Sequence, residues 1–368
     1  MREAEDSAVV PAHNSGRDYS LIGRDGQLAV EKGLAGADWY RCPIPRKRLK
    51  ELMQRKDGPA VRDTLIWFAA LGLTGGLAWH FWGSWWAVPF FAAYGVLYGS
   101  SSDSRWHECG HGTAFRTRWL NDAVYHLACF MVLREPTVWR WSHTRHHTDT
   151  LIVGRDPEIA VPRPPDILGI VLNLFAIKTG IAAFGKLLLH TTGRLTADEA
   201  TFIPEAERSK VYLVARVWVL VFMAVIASCF YWGTLLPAML VGLPSFYGGW
   251  LLIVFGLTQH AGLAEDVLDH RLNSRTVYMN PLFRFLYWNM NYHVEHHMFP
   301  MVPYHALPAF HADMKADMPR AYEGLWPAYR EIIPALLRQA KEPTWFVERK
   351  LPPQAESVAS PAAVAASE

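Results

Sequence analysis

The sequence predicts an all-α integral membrane protein: four transmembrane helices, paired as two hairpins, under a cytoplasmic helical cap that gathers a histidine-rich metal site. Three observations predict it. Four apolar stretches fall into two pairs, each closed by a tiny uncharged linker, Gly83-Ser84 or Gly233-Thr234. The segments outside the pairs are rich in Arg and Lys. Finally, eight of the sixteen histidines occupy three short windows, His107-x3-His111, His143-x2-His146-His147 and His293-x2-His296-His297, all outside the apolar stretches.

Residues 1–60 read as a polar cytoplasmic segment. Its opening, MREAEDSAVVPAHNSG, has no apolar core of the kind a cleaved signal peptide needs. A basic run follows (Arg46, Lys47, Arg48, Lys50, Arg55, Lys56), suited to anionic headgroups beside a span. The apolar stretches are 64–82, 85–100, 211–232 and 235–257. About 20 apolar residues cross about 30 Å of hydrocarbon. The second stretch is short unless it runs on toward Ser104. Phe81, Trp82, Trp85, Trp86, Tyr231 and Trp232 flank the linkers as an interfacial aromatic belt would. The cationic segment from Arg105 to Lys210 places both termini and the chain centre on the cytoplasmic side by the positive-inside rule. Residues 166–190 are apolar but interrupted by Lys178 and Lys186, which suits a helix or helix pair lying in the interface. The division that results is an N-terminal segment (1–60), a membrane and metal domain (61–310), a cytoplasmic helical segment (311–350) and an Ala/Ser/Pro-rich disordered tail (351–368).

Residues three and four apart share a helix face. His107 and His111 therefore stack, a weak signal when alone. His143, His146 and His147 crowd one face, as do His293, His296 and His297. Imidazole binds iron, zinc and copper. Eight converging rings exceed what one ion holds, so the pattern calls for two metals. Asp149 and Asp156 are candidates to orient ring nitrogens from behind. His126, His190, His270, His305 and His311 fit no cluster and read as structural. The four cysteines have no regular spacing, which excludes a zinc-thiolate site and a disulfide framework. A net charge of +2 gives no sign of a nucleic-acid partner.

With these boxes on a two-hairpin frame, the chain resembles the membrane fatty acid desaturase and hydroxylase superfamily over about residues 60–310. HECGHGTAF resembles the first box of delta-12 and omega-3 acyl desaturases, and YHVEHHMFP the third box of sphingolipid and front-end desaturases. The resemblance implies two non-haem irons, dioxygen as co-substrate and an electron donor. The box residues His107, His111, His143, His146, His147, His293, His296 and His297 would be ligands. A ninth ligand is usual between the fourth span and the third box, and His260 of Gln259-His260 matches it. The Asn that some relatives place one turn earlier is Gly256 here. Asn289 and Asn291 are alternatives for that role. No fused haem domain or ferredoxin-like cysteine set is present in the sequence. A separate ferredoxin with its reductase is the expected donor, and the basic run could dock it.

The leading function is fatty acyl desaturation at a bacterial inner membrane. ADWYRCPIPRKRLKELMQRKDGPAVRD and GLTQHAGLAEDVLDHRLNSRTVYMNP are similar to bacterial oxygenases of the rhizopine-catabolism type. These would hydroxylate or demethylate a small polar molecule using a Rieske-type ferredoxin. The acidic Glu265, Asp266 and Asp269 beside His260 would suit such a substrate or tune the ligands, unless they form a solvated face. Outside this class stands a membrane zinc hydrolase, which needs about three ligands and one metal.

Overall fold

The computed structural model describes residues 16–353. The expected signal-free opening and nearly all of the expected disordered tail lie outside the described residues. Among the described residues all regular structure is helical, joined only by the isolated bridges Thr276–Tyr292 and Val277–Tyr322.

The two helices of the first hairpin pair with each other, and neither is by length and composition a membrane crossing on its own. Asp57–His80 runs 24 residues. Gly83, at φ +86°, makes the turn in a region glycine tolerates. The chain returns through Ala87–Gly95, a π-helical turn at Val96–Ser100, and Ser101–Gly110. The short second stretch is thus continued by polar helix, and this extension carries His107. The apolar part, Ala87–Ser100, rises about 20 Å at 1.5 Å per residue, and the polar turns beyond it carry His107 further.

The second hairpin differs. Glu205–Trp232 is a 28-residue helix with mean hydropathy 2.3, and by length and composition it is the one straight helix among the described residues able to cross a membrane. The return stretch 235–257, expected as one span, is broken into Leu236–Leu240, Pro244–Tyr247 and Trp250–His260. Pro237 and Pro244 remove backbone donors, and Gly242 sits at φ +95°. The break serves packing. Gly248 lies against the backbone of Gly95, where a Cβ would overlap it, and Gly99 meets Pro244 and Gly248 in the same way. At this crossing Ser100 Oγ donates to the Gly248 carbonyl (2.5 Å) and accepts from Leu252 N–H (2.9 Å). Ser100 ends the π turn, so the irregular turn and the broken helix answer each other.

The hairpin tips touch: Trp82 Nε1 donates to Thr234 Oγ1 at 3.0 Å. Trp85 is 91% exposed and Tyr231 85%. Such bare aromatics suit an apolar or interfacial surrounding rather than water. The 166–190 stretch is a helix pair, Ile167–Asn173 and Ile177–Thr191, bent by 78° at Ala176, whose φ is +49°.

Buried Arg105 ties the third histidine window to the first. Its guanidinium lies 4.8 Å from the Trp67 ring and 4.9 Å from the Trp288 ring. It donates to the Leu286 carbonyl at 3.0 Å, seven residues before His293. Cation–π contact and carbonyl bonds replace a carboxylate partner.

Candidate metal centre

Four short segments deliver the histidines. His107 rides the last turn of Ser101–Gly110, and His111 caps it. Gly112, at φ +65°, ends the helix. The second window lies on Pro136–Thr148, which starts cleanly: Pro136 takes the first position and the Glu135 carboxylate accepts from Val138 N–H at 2.7 Å. The third lies on His293–Met298. His260 closes Trp250–His260.

These segments bring all the predicted ligands into two groups. One ring nitrogen each from His107, His111, His143, His147 and His296 lies within 4.8 Å of the others, and the same holds for His146, His260 and His297. His293 joins the second group, its Nε2 2.9 Å from His260 and 3.0 Å from His297. In the first group His143 Nε2 is 3.1 Å from both His111 and His147 Nε2, and His296 Nε2 is 3.1 Å from His147.

The ring protons decide what these distances mean. His143 Nδ1 faces Glu158 Oε2 at 2.9 Å, His146 Nδ1 faces Asp156 Oδ2 at 2.8 Å, and His260 Nδ1 faces the Asn273 carbonyl at 2.8 Å. Each acceptor fixes a proton on Nδ1 and leaves Nε2 as a bare lone pair. Where the facing ring is also bare at Nε2, lone pairs meeting at about 3 Å repel unless a cation lies between them. Nitrogens bound at about 2.1 Å and at right angles stand about 3.0 Å apart. The donor set therefore fits metal ions. Most of the rings are also held neutral, as binding requires. Burial first, and then neighbouring rings, push His107, His143, His147, His293, His296 and His297 well below the ordinary histidine range, and His111 to about 4. His146 is the exception. Burial would lower it, but the Asp156 carboxylate outweighs burial and raises it.

Of the two proposed orienting carboxylates, Asp156 has that role and Asp149 does not. Asp149 pairs with Arg155 at 3.0 Å and Arg145 at 3.8 Å. Sequence reasoning missed Glu158, two residues after Asp156, and Thr150 Oγ1, 3.2 Å from His297 Nδ1. It also missed Glu108, inside the first window. Burial pushes this carboxyl up to about 8, and it accepts from Tyr304 N–H at 3.0 Å. The DPE that follows the second window was the available signal for Glu158.

Asn289 is committed elsewhere, whereas Asn291 keeps a buried oxygen without a partner. Asn289 spends its oxygen on Arg284 and its amide on the Tyr304 carbonyl. Asn291 donates to the Val277 carbonyl at 2.8 Å. The acidic stretch is neither a solvated face nor a ligand tuner. Glu265 is buried between Arg17 (2.7 Å) and Arg163 (3.3 Å), Asp266 pairs with Arg17, and Asp269 with Arg271. Outside the groups, His190 meets Glu199 at 3.0 Å, while His311 joins Glu295 and Tyr278. His126 and His305 belong to neither group. His270 is buried and stacks on Trp39. The four cysteines are free, as expected.

A cavity of about 550 Å³ lies beside the second window. Its wall runs from Ser142 and Asp156, which adjoin His143 and hold His146, past Trp139 to Phe184, Trp218 and Leu252.

Residues 83–329 match the family model described as fatty acid desaturase. The chain is 25% identical to an Arabidopsis thaliana acyl-lipid omega-3 desaturase (cytochrome b5) of the endoplasmic reticulum, over 73% of this chain and 72% of that one. It is 24% identical to a Nicotiana tabacum omega-3 fatty acid desaturase of the endoplasmic reticulum, over 67% and 68%. It is 25% identical to a Dimorphotheca sinuata delta(9) fatty acid conjugase-like enzyme, over 62% and 70%. With its histidines gathered at the helix ends and two thirds of its length matched by one model, the chain belongs to the fatty acid desaturase family.

Proposed function

We propose that the protein is a membrane-bound, dioxygen-dependent diiron oxidoreductase that desaturates a fatty acyl lipid. The observation that carries this reading is the division of the histidines into two groups of closely spaced ring nitrogens, beside a largely apolar cavity. His107, His111, His143, His147 and His296 would hold one iron. His146, His260, His293 and His297 would hold the other. Bound iron supplies the oxidation of an unactivated C–H bond with dioxygen. The chain's own part is placement. Asp156, Glu158 and the Asn273 carbonyl lock ring tautomers. Trp139, Phe184, Trp218 and Leu252 offer an acyl chain a dry wall and exclude water.

In this reading the two hairpins enter the bilayer from one side, with four membrane-crossing segments, the last of them broken. Both termini and the metal centre stay on the cytoplasmic face, and the electrons come from a separate carrier protein. The touching hairpin tips and the exposed aromatic ring support this arrangement. The polar-substrate alternative drew on two segments similar to bacterial oxygenases and on the acidic stretch near His260, and the carboxylates of that stretch are already paired with arginines. A zinc hydrolase has no use for two groups of this size.

The test is metal and product analysis of the purified protein in lipid with an electron carrier. Two irons per chain, and a product lighter by two hydrogens, are expected. A product heavier by one oxygen would make it a hydroxylase. A single zinc, with activity kept in the absence of oxygen, would overturn the reading.

A further inference from the structure

Two aromatic contacts lead away from the histidine groups. Trp106 lies 5.5 Å from His107 and 5.2 Å from His143, ring centre to ring centre, and leads to Trp139 at 5.5 Å. Trp139 lines the cavity, so this path ends where substrate would sit. The other path leads outward. His297 lies 5.2 Å from His270, and His270 stacks face to face on Trp39 at 4.2 Å with the rings 4° from parallel. Trp39 is half-buried in the N-terminal segment, and its indole N–H is fixed by the Thr148 carbonyl at 3.0 Å. His270 is buried and sits in neither histidine group, so nothing in the metal centre accounts for it.

The surface around Trp39 is cationic. Arg41 is exposed and has no carboxylate partner among the described residues. Arg145 and Arg155 share the single carboxylate of Asp149, beside Thr148. The opposing charges are exposed Asp38 and, beside Tyr40 and His270, Asp317 and Asp269, which Arg271 holds. A few residues on, the helix Arg46–Leu52 begins with exposed Arg46 and Lys47. Opposite charge steers encounter and fixes orientation more than it adds affinity.

We infer that the stacked pair Trp39–His270 is the port through which an acidic one-electron carrier protein reduces the metal centre, entering at His297. The inference rests on the diiron reading above. Each electron leaves the carrier's reduced cofactor, which is oxidised by one unit, and reaches a ferric ion, which becomes ferrous. Two such deliveries serve one turnover. No bond forms or breaks in the rings and no proton need move. Their stacked π systems shorten the gap an electron must tunnel, and tunnelling falls exponentially with that gap.

The test uses iron-loaded protein in lipid, mixed without oxygen with a reduced acidic [2Fe–2S] ferredoxin or, separately, a reduced cytochrome b5 domain. The readouts are the rate of iron reduction and the Kd for the carrier. Trp39→Ala is expected to slow reduction by either carrier at least tenfold, with iron content and reduction by dithionite unchanged. Trp39→Phe, which keeps a stacked ring, should recover most of the rate. Arg41→Glu should weaken carrier binding several-fold and leave iron content alone. Reduction of Trp39→Ala within twofold of wild type would place the port elsewhere. If Trp39→Ala does not fold, loss of carrier binding in Arg41→Glu and retained rate in Trp39→Phe still decide. Wild type that binds iron but is reduced by neither carrier would overturn the port alone. Wild type that holds no iron would overturn the diiron reading first.

Discussion

The two histidine groups are built on different principles. In the group of His146, His260, His293 and His297, three rings have a hydrogen-bond partner behind them: Asp156, the Asn273 carbonyl and Thr150. In the group of His107, His111, His143, His147 and His296, only His143 has a strong one, Glu158. The Nδ1 atoms of His107 and His147 are buried without a hydrogen-bond partner, as is that of His293 in the other group, and His296 Nδ1 has only the Glu108 carboxylate at 3.6 Å. The rings of His107, His147 and His296 are aimed by the helix repeat and by close packing against Trp106 and one another. One group is oriented by hydrogen bonds, the other by helix geometry. A hydrogen bond fixes tautomer and angle together, whereas packing fixes only position.

The largest effects should come from removing a ligand. His146→Ala and His296→Ala strike one group each. Both are expected to abolish turnover and to cut iron from two per chain to about one, measured by elemental analysis; full turnover with intact iron in either would refute the division. His260→Ala should lower iron content while His311→Ala does not, because His311 meets Glu295 and Tyr278 rather than either group. Equal iron in the two proteins would remove His260 from the set.

Orienting partners come next. Replacing such a partner costs about 10–100-fold in metal affinity. Asp156→Asn, measured by chelator competition, is expected to reach that range. Glu158→Gln should cost less, since four other rings stay aimed without it. A larger loss in Glu158→Gln would reverse the comparison. The smallest effect is expected for Asp149→Asn, whose carboxylate serves Arg145 and Arg155: iron affinity should stay within twofold by the same competition.

A parallel contrast holds between the hairpins. The first is continuous and acts as a ruler for His107. The second yields its helix to let Gly248 reach Gly95. A Gly248→Ala change forces backbone apart at that crossing and should destabilise by about 1–3 kcal/mol, as overpacking does; an unchanged unfolding midpoint in detergent would show that the crossing is soft.

Much of this was legible in the chain. His107 through His297 announced themselves by spacing, because the helix repeat converts i, i+3 and i+4 directly into a shared face. His260 came only through resemblance. Asp156 was readable as a nearby carboxylate, yet Asp149 looked equally good, since proximity in sequence does not say which way a side chain turns. The second hairpin's return was read as a span on hydropathy, which counts apolar residues and cannot see the proline and glycine breaks being used for a crossing. The acidic stretch looked free because its partners, Arg17 and Arg163, lie far away in the chain.

The sequence by itself determined the helical class, the family and the list of ligand-type residues, because these depend on composition and local repeat. Only the tertiary structure decided how the ligands divide. His146 and His147 are neighbours in the chain but serve different groups, since adjacent helical residues point about 100° apart and each meets whatever ring another segment brings there. The same holds for His296 and His297. Which nitrogen faces a metal, which carboxylate holds the ring, and that Trp39 lies flat on His270 are set by contacts between distant segments, and no local rule encodes them.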